Sequence, residues 1–174
     1  MKRILWLATV SFLLLLPFGT DGRAQAQAKE VAEAVTVAGY VTPVVLPLDQ
    51  GRYRVNYEAI GLVISDTSSG LFHEATVRVL GQFTIEKNKF NDGQDWGIYT
   101  LRNGDKVFFT ATSTGELEPG GGGEVKVIET FTGGKGEGAG IKGGNTFTRH
   151  GLRPALFEGT GLFYMKGTIK YTLP

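Results

Sequence analysis

The C-terminal segment, residues 157–173, is the part of this chain that most constrains its fold. Apolar side chains and glycines occupy its odd positions, and mainly polar side chains occupy its even positions. A period of two is that of a β-strand with one buried face. Gly159, Gly161 and Gly167 all fall on the apolar face, where side chains crowd if a sheet curls inward. The segment therefore predicts a long strand in a tightly curved sheet.

Similar alternation recurs along the chain, and no segment after residue 34 has a sustained helical period of about 3.6 residues. About eight strands joined by short turns are typical of an antiparallel barrel or sandwich, and the glycines of the last strand favour closure into a barrel. The sequence therefore predicts an all-β, eight-stranded antiparallel β-barrel. The strands predicted before the last one are 35–41, 52–65, 73–87, 96–102, 106–114, 124–132 and 145–149.

Prolines and glycines predict irregularities in the early strands. Pro43 predicts the end of the first strand, because proline cannot donate a hydrogen bond to a ladder. The apolar residues change parity at Ile60, and Gly61 beside it predicts a β-bulge. Gly81 predicts a bend in the long third strand.

Four segments predict turns or loops. Asp92-Gly93 and Asn103-Gly104 are hairpin dipeptides. The glycine-rich segments 115–123 and 133–144 predict a flexible loop and a chain reversal. Neither contains the pattern of a phosphate-binding loop.

The N-terminus predicts a secretory signal peptide. Two basic residues precede the apolar run 4–18, and the small residues 24–28 supply an Ala-x-Ala cleavage site. The run is short for a membrane anchor. We therefore predict an exported protein, periplasmic or extracellular, with a signal peptide at 1–26, a flexible leader at 27–34 and one barrel domain at 35–174.

Composition excludes several functional classes. Removal of residues 1–26 takes away three of 18 basic and one of 17 acidic residues, so the formal net charge becomes about minus one. This gives no electrostatic reason to expect nucleic acid or an anionic membrane as partner. The charged strand faces and the lack of an aromatic girdle argue against a membrane-embedded barrel.

The chain also lacks the residues of common reactive sites. Cysteine is absent, which excludes disulfides, thiolate catalysis and Cys-ligated metals. His73 and His150 lie near strand ends without metal-ligand spacing, and no G-x-S-x-G elbow is present. We therefore predict no metal and no cofactor.

Two motifs suggest a relative. The reversal FTGGKGEGA at 131–139 and the strand LFYMKG at 162–167, with Arg153-Pro154 between them, resemble the allene oxide cyclase family and its bacterial barrel-like relatives over residues 124–168. The resemblance implies a calycin-type barrel of eight strands with an apolar interior, often assembled as a trimer. It also implies cyclisation of an unstable fatty-acid epoxide without a cofactor.

No catalytic residue is carried over from that resemblance. The family places a glutamate and asparagines on its first strands, near a proline. This chain has TVAGYV at 36–41, with no carboxylate or amide, and Pro43 is the single correspondence.

Three residues are candidates for a ligand site. Glu129 shares parity with Phe131, so it either enters an apolar lumen, where its pKa would be raised and suit proton transfer, or lies in solvent on the opposite face. Tyr99 shares parity with Leu101 and could supply a hydroxyl to the same lumen. Arg149 could bind a carboxylate in bidentate fashion.

The sequence thus favours an exported barrel that binds a small apolar or amphipathic ligand in its lumen. A cofactor-independent cyclase or isomerase is the first alternative. A structural or protein-interaction barrel with a packed core is the second.

Overall fold

The computed structural model describes residues 29–118, 122–152 and 159–174. The predicted signal peptide and the predicted Arg153-Pro154 loop lie outside these residues. Eight antiparallel strands close into one barrel in chain order, which confirms the predicted fold class. The strands are β1 (Glu30–Pro47), β2 (Arg52–Ser65), β3 (Thr76–Glu86), β4 (Lys89–Thr100), β5 (Lys106–Leu117), β6 (Gly123–Lys135), β7 (Lys142–Leu152) and β8 (Gly161–Thr172).

The apolar face of β8 points into the barrel, as its alternation predicts. Its buried side chains are Phe163, Met165, Ile169 and Tyr171. A Cβ at Gly167 would overlap the Thr146 carbonyl oxygen of β7, so only glycine allows the two strands to approach here. The described residues contain no helix long and apolar enough to cross a membrane.

Strand β1 is longer than predicted at both ends. From Glu30 onward, the predicted leader at 27–34 is part of β1 and pairs with β8. The strand also continues through Pro43, which pairs with Tyr57 of β2. Among the described residues, β8 pairs with β1 only as far as Val41, and a proline is tolerated on such an edge.

The predicted bulge at Gly61 is wrong. The register of β2 with β1 is continuous through this residue, and so is its register with β3. Ile60 and Leu62 lie exposed on the outer surface. The change of apolar parity therefore reflects apolar side chains on the outer surface, which are common in folded proteins, and does not mark a bulge.

One of the two predicted hairpins is confirmed. Asn103-Gly104 lies in the turn between β4 and β5, where Gly104 has φ +91°. Asp92-Gly93 is not a turn, since both residues belong to β4. The chain reverses earlier, at Lys87-Asn88, whose φ values of 49° and 66° suit a two-residue hairpin.

The remaining boundaries shift by a few residues. The third strand begins at Thr76 and its irregular pairing lies between Gln82 and Glu86, beyond the bend predicted at Gly81. Half of the glycine-rich segment 133–144 is strand, since β6 ends at Lys135 and β7 begins at Lys142, and the chain reverses between these two residues as predicted. Of the predicted loop 115–123, residues 119–121 lie outside the described part of the chain.

Phe72, in the segment between β2 and β3, fills one end of the barrel. It is fully buried, and its ring centre lies 5.2 Å from that of Tyr99 and 5.6 Å from that of Tyr171. Glu33 of β1 holds this segment, because its carboxylate accepts hydrogen bonds from the backbone N–H of Leu71 at 2.9 Å and of Phe72 at 3.4 Å. The Tyr171 hydroxyl donates to the same carboxylate at 2.5 Å. We call this the closed end.

We predict that Glu33→Ala lowers the free energy of unfolding by about 2–3 kcal/mol, because it leaves buried donors at the closed end without their charged acceptor. The matched control is Glu30→Ala, at an exposed residue of the same strand, which should have little effect. Urea unfolding measures both. Equal stability of the two variants would contradict the role given to Glu33.

Candidate functional site

The opposite end of the barrel contains a cavity of about 470 Å³, which we call the mouth cavity. Beneath it lies an inner cavity of about 40 Å³. Tyr57, Phe83 and Arg149 line both, so the two spaces meet at these side chains. Apolar side chains make up most of the wall of the mouth cavity: Val41, Pro43, Val45, Tyr53, Val55, Ile85, Leu117 and Leu152.

A polar group, the floor cluster, consists of Tyr57, Asp95, Ser113 and Arg149, all of which line the inner cavity. The Tyr57 hydroxyl donates to Asp95 Oδ1 at 2.5 Å. Tyr57 and Asp95 come from β2 and β4, which are separated by β3, and Gly81 of β3 lies in register with both. A Cβ at Gly81 would overlap both polar groups, so the hydrogen bond passes over a position that only glycine leaves free.

Burial raises the pKa of Asp95 to about 6. Hydrogen bonds from Tyr57 and Ser113 and the positive charge of Arg149 favour its ionised form and limit the shift. Burial likewise raises the pKa of the Tyr57 hydroxyl, and the neighbouring Asp95 raises it further. At neutral pH the pair is therefore a carboxylate that accepts a hydrogen bond from a neutral phenol.

Arg149 supplies the positive charge of the floor cluster. Its guanidinium carbon lies 5.1 Å from the centre of the Phe163 ring, and it makes no ion pair with another described residue. Burial lowers its pKa, while Tyr57 and Asp95 oppose that change. An arginine remains protonated under such conditions, so a permanent cation faces both cavities.

A second polar group lies deeper in the lumen and consists of Tyr99, Glu129 and Asn145. The Tyr99 hydroxyl donates to Glu129 Oε2 at 2.7 Å. The Asn145 amide donates to that hydroxyl at 3.1 Å and also to Glu129 Oε2. Asn145 Oδ1 is buried and has no partner among the described residues. We call this group the inner triad.

The Glu129 side chain faces the barrel interior and is buried. Burial raises its pKa to about 7, against the effect of the two hydrogen bonds, and the negative charge of Asp95 adds to the rise. The pKa of Tyr99 is raised by burial and by the Glu129 carboxylate. The lumen therefore contains two carboxyl groups that change ionisation between about pH 6 and 7.

The structure brings two of the three candidate residues together. Tyr99 and Glu129 share the inner triad, whereas Arg149 belongs to the floor cluster. The sequence does not indicate Asp95 as a site residue, because the Asp92-Gly93 dipeptide predicts a turn just before it, whereas all three residues lie in β4. Tyr57 is not among the candidates either, although it shares parity with Val55. A ligand-binding role for any of these residues stays a prediction.

The histidines lie apart from the lumen clusters. His73 Nδ1 accepts a hydrogen bond from the Ser65 backbone N–H at 3.3 Å. The His150 ring stacks on Tyr164, with ring centres 4.9 Å apart. Within residues 29–118, 122–152 and 159–174, no group of three or more His, Asp or Glu side chains is placed to hold a metal ion.

Comparison with protein-family models, with curated proteins and with solved structures finds no match to this chain. The resemblance to the allene oxide cyclase family therefore rests on the two sequence motifs. Membership of that family, assembly as a trimer and export from the cell stay predictions.

We predict that stability falls with rising pH and that Glu129→Gln removes much of this dependence. The folded-state pKa of Glu129, about 7, exceeds its ordinary value of 4.5. The stability that Glu129 contributes is thus fully present below pH 4.5 and is lost as the pH rises through about 7. This loss lowers the free energy of unfolding by about 3 kcal/mol between pH 4 and 8. Urea unfolding at these two pH values measures it.

The control for this prediction is Glu86→Gln, at an exposed residue of β3. It should keep the pH dependence of the unaltered protein. The free energy of unfolding of Glu129→Gln should still fall slightly with rising pH, because the pKa of Asp95 is also raised. If Glu129→Gln loses as much stability between pH 4 and 8 as the unaltered protein does, the assignment of Glu129 as the titrating group is wrong.

Proposed function

We propose that this barrel binds a small apolar or amphipathic molecule in its mouth cavity. The observation that carries the proposal is the difference between the two ends of the lumen. Aromatic rings around Phe72 fill the closed end, while the opposite end retains about 470 Å³ of space with mostly apolar walls. Cavities of this size and lining are typical of sites for small ligands.

The floor cluster supports an amphipathic ligand in particular. Apolar walls do not fix the orientation of a bound molecule, whereas a few polar groups at the base of a pocket do so through hydrogen bonds. Asp95 and Arg149 provide such groups beneath the mouth cavity. A structural role alone would favour a lumen filled throughout. We propose that binding takes place outside the cytoplasm, on the basis of the signal-peptide pattern at 1–26.

We predict that Val45→Trp blocks binding of the uncharged apolar dye N-phenyl-1-naphthylamine. Val45 lines the mouth cavity, and an indole ring there would occupy part of its volume. The affinity should fall at least about tenfold, or 1.4 kcal/mol. The fluorescence increase of the dye on titration with protein measures it.

Val44→Trp is the matched control. Val44 is the preceding residue of β1, does not line the mouth cavity and is 58% exposed, compared with 51% for Val45. It should bind the dye as the unaltered protein does. Absence of dye binding by the unaltered protein, or equal loss in both variants, would contradict the proposal. Native mass spectrometry of protein from its own host would then reveal any molecule that accompanies it.

A second candidate function, proton-transfer catalysis by an isomerase or cyclase, is favoured by Asp95. Its carboxyl group lines the inner cavity, and a pKa of about 6 suits a general acid or base near neutral pH. Glu129 also lines the inner cavity and has a similar pKa, but its hydrogen-bond partners Tyr99 and Asn145 line neither cavity. Asp95 is hydrogen-bonded to Tyr57, which lines both cavities, so Asp95 is the better candidate to exchange a proton with a molecule in the mouth cavity.

We predict, for this second function, that the protein accelerates deuterium exchange at the carbon next to the carbonyl of 2-octanone in D₂O. Asp95→Asn should abolish the acceleration, because an amide cannot accept the proton. Proton NMR follows the exchange. Ser69→Ala, on a surface turn, is the control. Exchange at the same rate in Asp95→Asn and the unaltered protein would exclude Asp95 as the base.

A further inference from the structure

The inner cavity limits the head group that a ligand of the mouth cavity can carry. Roughly 10–15 Å³ of such space holds one water molecule. A cavity of about 40 Å³ therefore admits a group of two or three heavy atoms. A phosphate, a sugar or a trimethylammonium group is too large. A hydroxymethyl, a carboxylate and a primary ammonium group remain possible by size, so charge must decide among them.

When Asp95 is ionised and Glu129 is protonated, the charges around the inner cavity cancel. Asp95 is faced by Tyr57 from β2, by Glu129 from β6 and by Arg149 from β7, while Ser113 of β5 also lines the space. Strand β3 places Gly81 between Tyr57 and Asp95, and its residues that line the cavity are uncharged: Val77, Val79 and Phe83. One carboxylate and one guanidinium thus face the same small volume, and Glu129 adds negative charge as it ionises.

A charged head group would disturb this balance. A carboxylate would bring a second negative charge beside Asp95, and an ammonium group would bring a second positive charge beside Arg149. A hydroxyl can donate to the Asp95 carboxylate and accept from the Arg149 guanidinium at the same time. It satisfies both groups without adding charge.

We propose that the lumen selects an amphipathic alcohol, with its hydroxyl between Asp95 and Arg149 in the inner cavity and its apolar chain in the mouth cavity. This inference rests on the proposed binding function. It adds the class of ligand and the two side chains that recognise it.

Isothermal titration calorimetry with octan-1-ol, octanoate and octylammonium tests this choice, because the three share one chain and differ in the head group. At pH 6.5, between the pKa values of Asp95 and Glu129, octan-1-ol should bind at least about tenfold more tightly than either ion. In Asp95→Asn the charge of Arg149 is no longer balanced, so octanoate should gain about tenfold relative to octan-1-ol.

A measurement on the unaltered protein keeps the test independent of the folding of that variant. At pH 5.5 Asp95 is largely protonated, since its pKa is about 6, and octanoate should gain on octan-1-ol in the same direction as in Asp95→Asn. Circular dichroism shows whether the variant is folded.

Each outcome separates this inference from the function on which it rests. Octanoate or octylammonium binding as tightly as octan-1-ol at pH 6.5 overturns the assignment of a hydroxyl and leaves ligand binding intact. If the affinity of octanoate relative to octan-1-ol is the same at pH 5.5 as at the higher pH, the assignment of a hydroxyl is also overturned. No binding by any of the three, with no binding of the apolar dye, overturns the proposed function as well.

Discussion

The pairing of β1 with β8 is the constraint on which the rest of the structure depends. Residues Glu30–Val41 pair with Gly161–Thr172, and this ladder turns an open sheet into a closed barrel. Closure forces the inward side chains of eight strands into one narrow space, which is possible only where some positions have no side chain. Gly167 lets β8 approach β7, and the Phe147 ring lies over it. At Gly81 the missing side chain leaves room for the hydrogen bond between Tyr57 and Asp95.

The two ends of the lumen differ because one long connection folds inward. The segment between β2 and β3 places Phe72 in the interior, and the Glu33 carboxylate accepts hydrogen bonds there from the backbone N–H groups of Leu71 and Phe72. Without that acceptor, a loop carrying unpaired backbone donors would not enter an apolar core. The connection between β1 and β2 spans only residues 48–51, and its one large apolar side chain, Leu48, is 52% exposed. The closed end is thus a consequence of the long connection between β2 and β3 and of one buried carboxylate.

The alternation of individual strands predicted the fold class and the inward face of β8, because a period of two depends only on local sequence. It could not predict which side chains meet. Tyr57 and Asp95 are 38 residues apart and reach each other across β3, so their contact depends on the register of three strands. The Asp92-Gly93 dipeptide misled for a related reason: the Asp92 carboxylate accepts from the Thr84 backbone N–H at 2.8 Å, a tertiary hydrogen bond that holds it within β4. Local turn propensity gives no account of such bonds.

Two carboxyl groups inside a barrel of this size need a physical explanation. Burial disfavours their ionised forms, as the raised pKa values of Asp95 and Glu129 indicate, and apolar residues of similar volume would often be at least as stable. Hydrogen bonds from Tyr99 and Asn145 partly compensate for the burial of the Glu129 carboxyl group. Asp95 and Arg149 face the inner cavity, as Glu129 does, but they belong to the cluster that also borders the mouth cavity, where a bound molecule can supply the missing hydrogen bonds. The floor cluster, rather than the deeper triad, is therefore the part of the lumen whose chemistry points to a ligand.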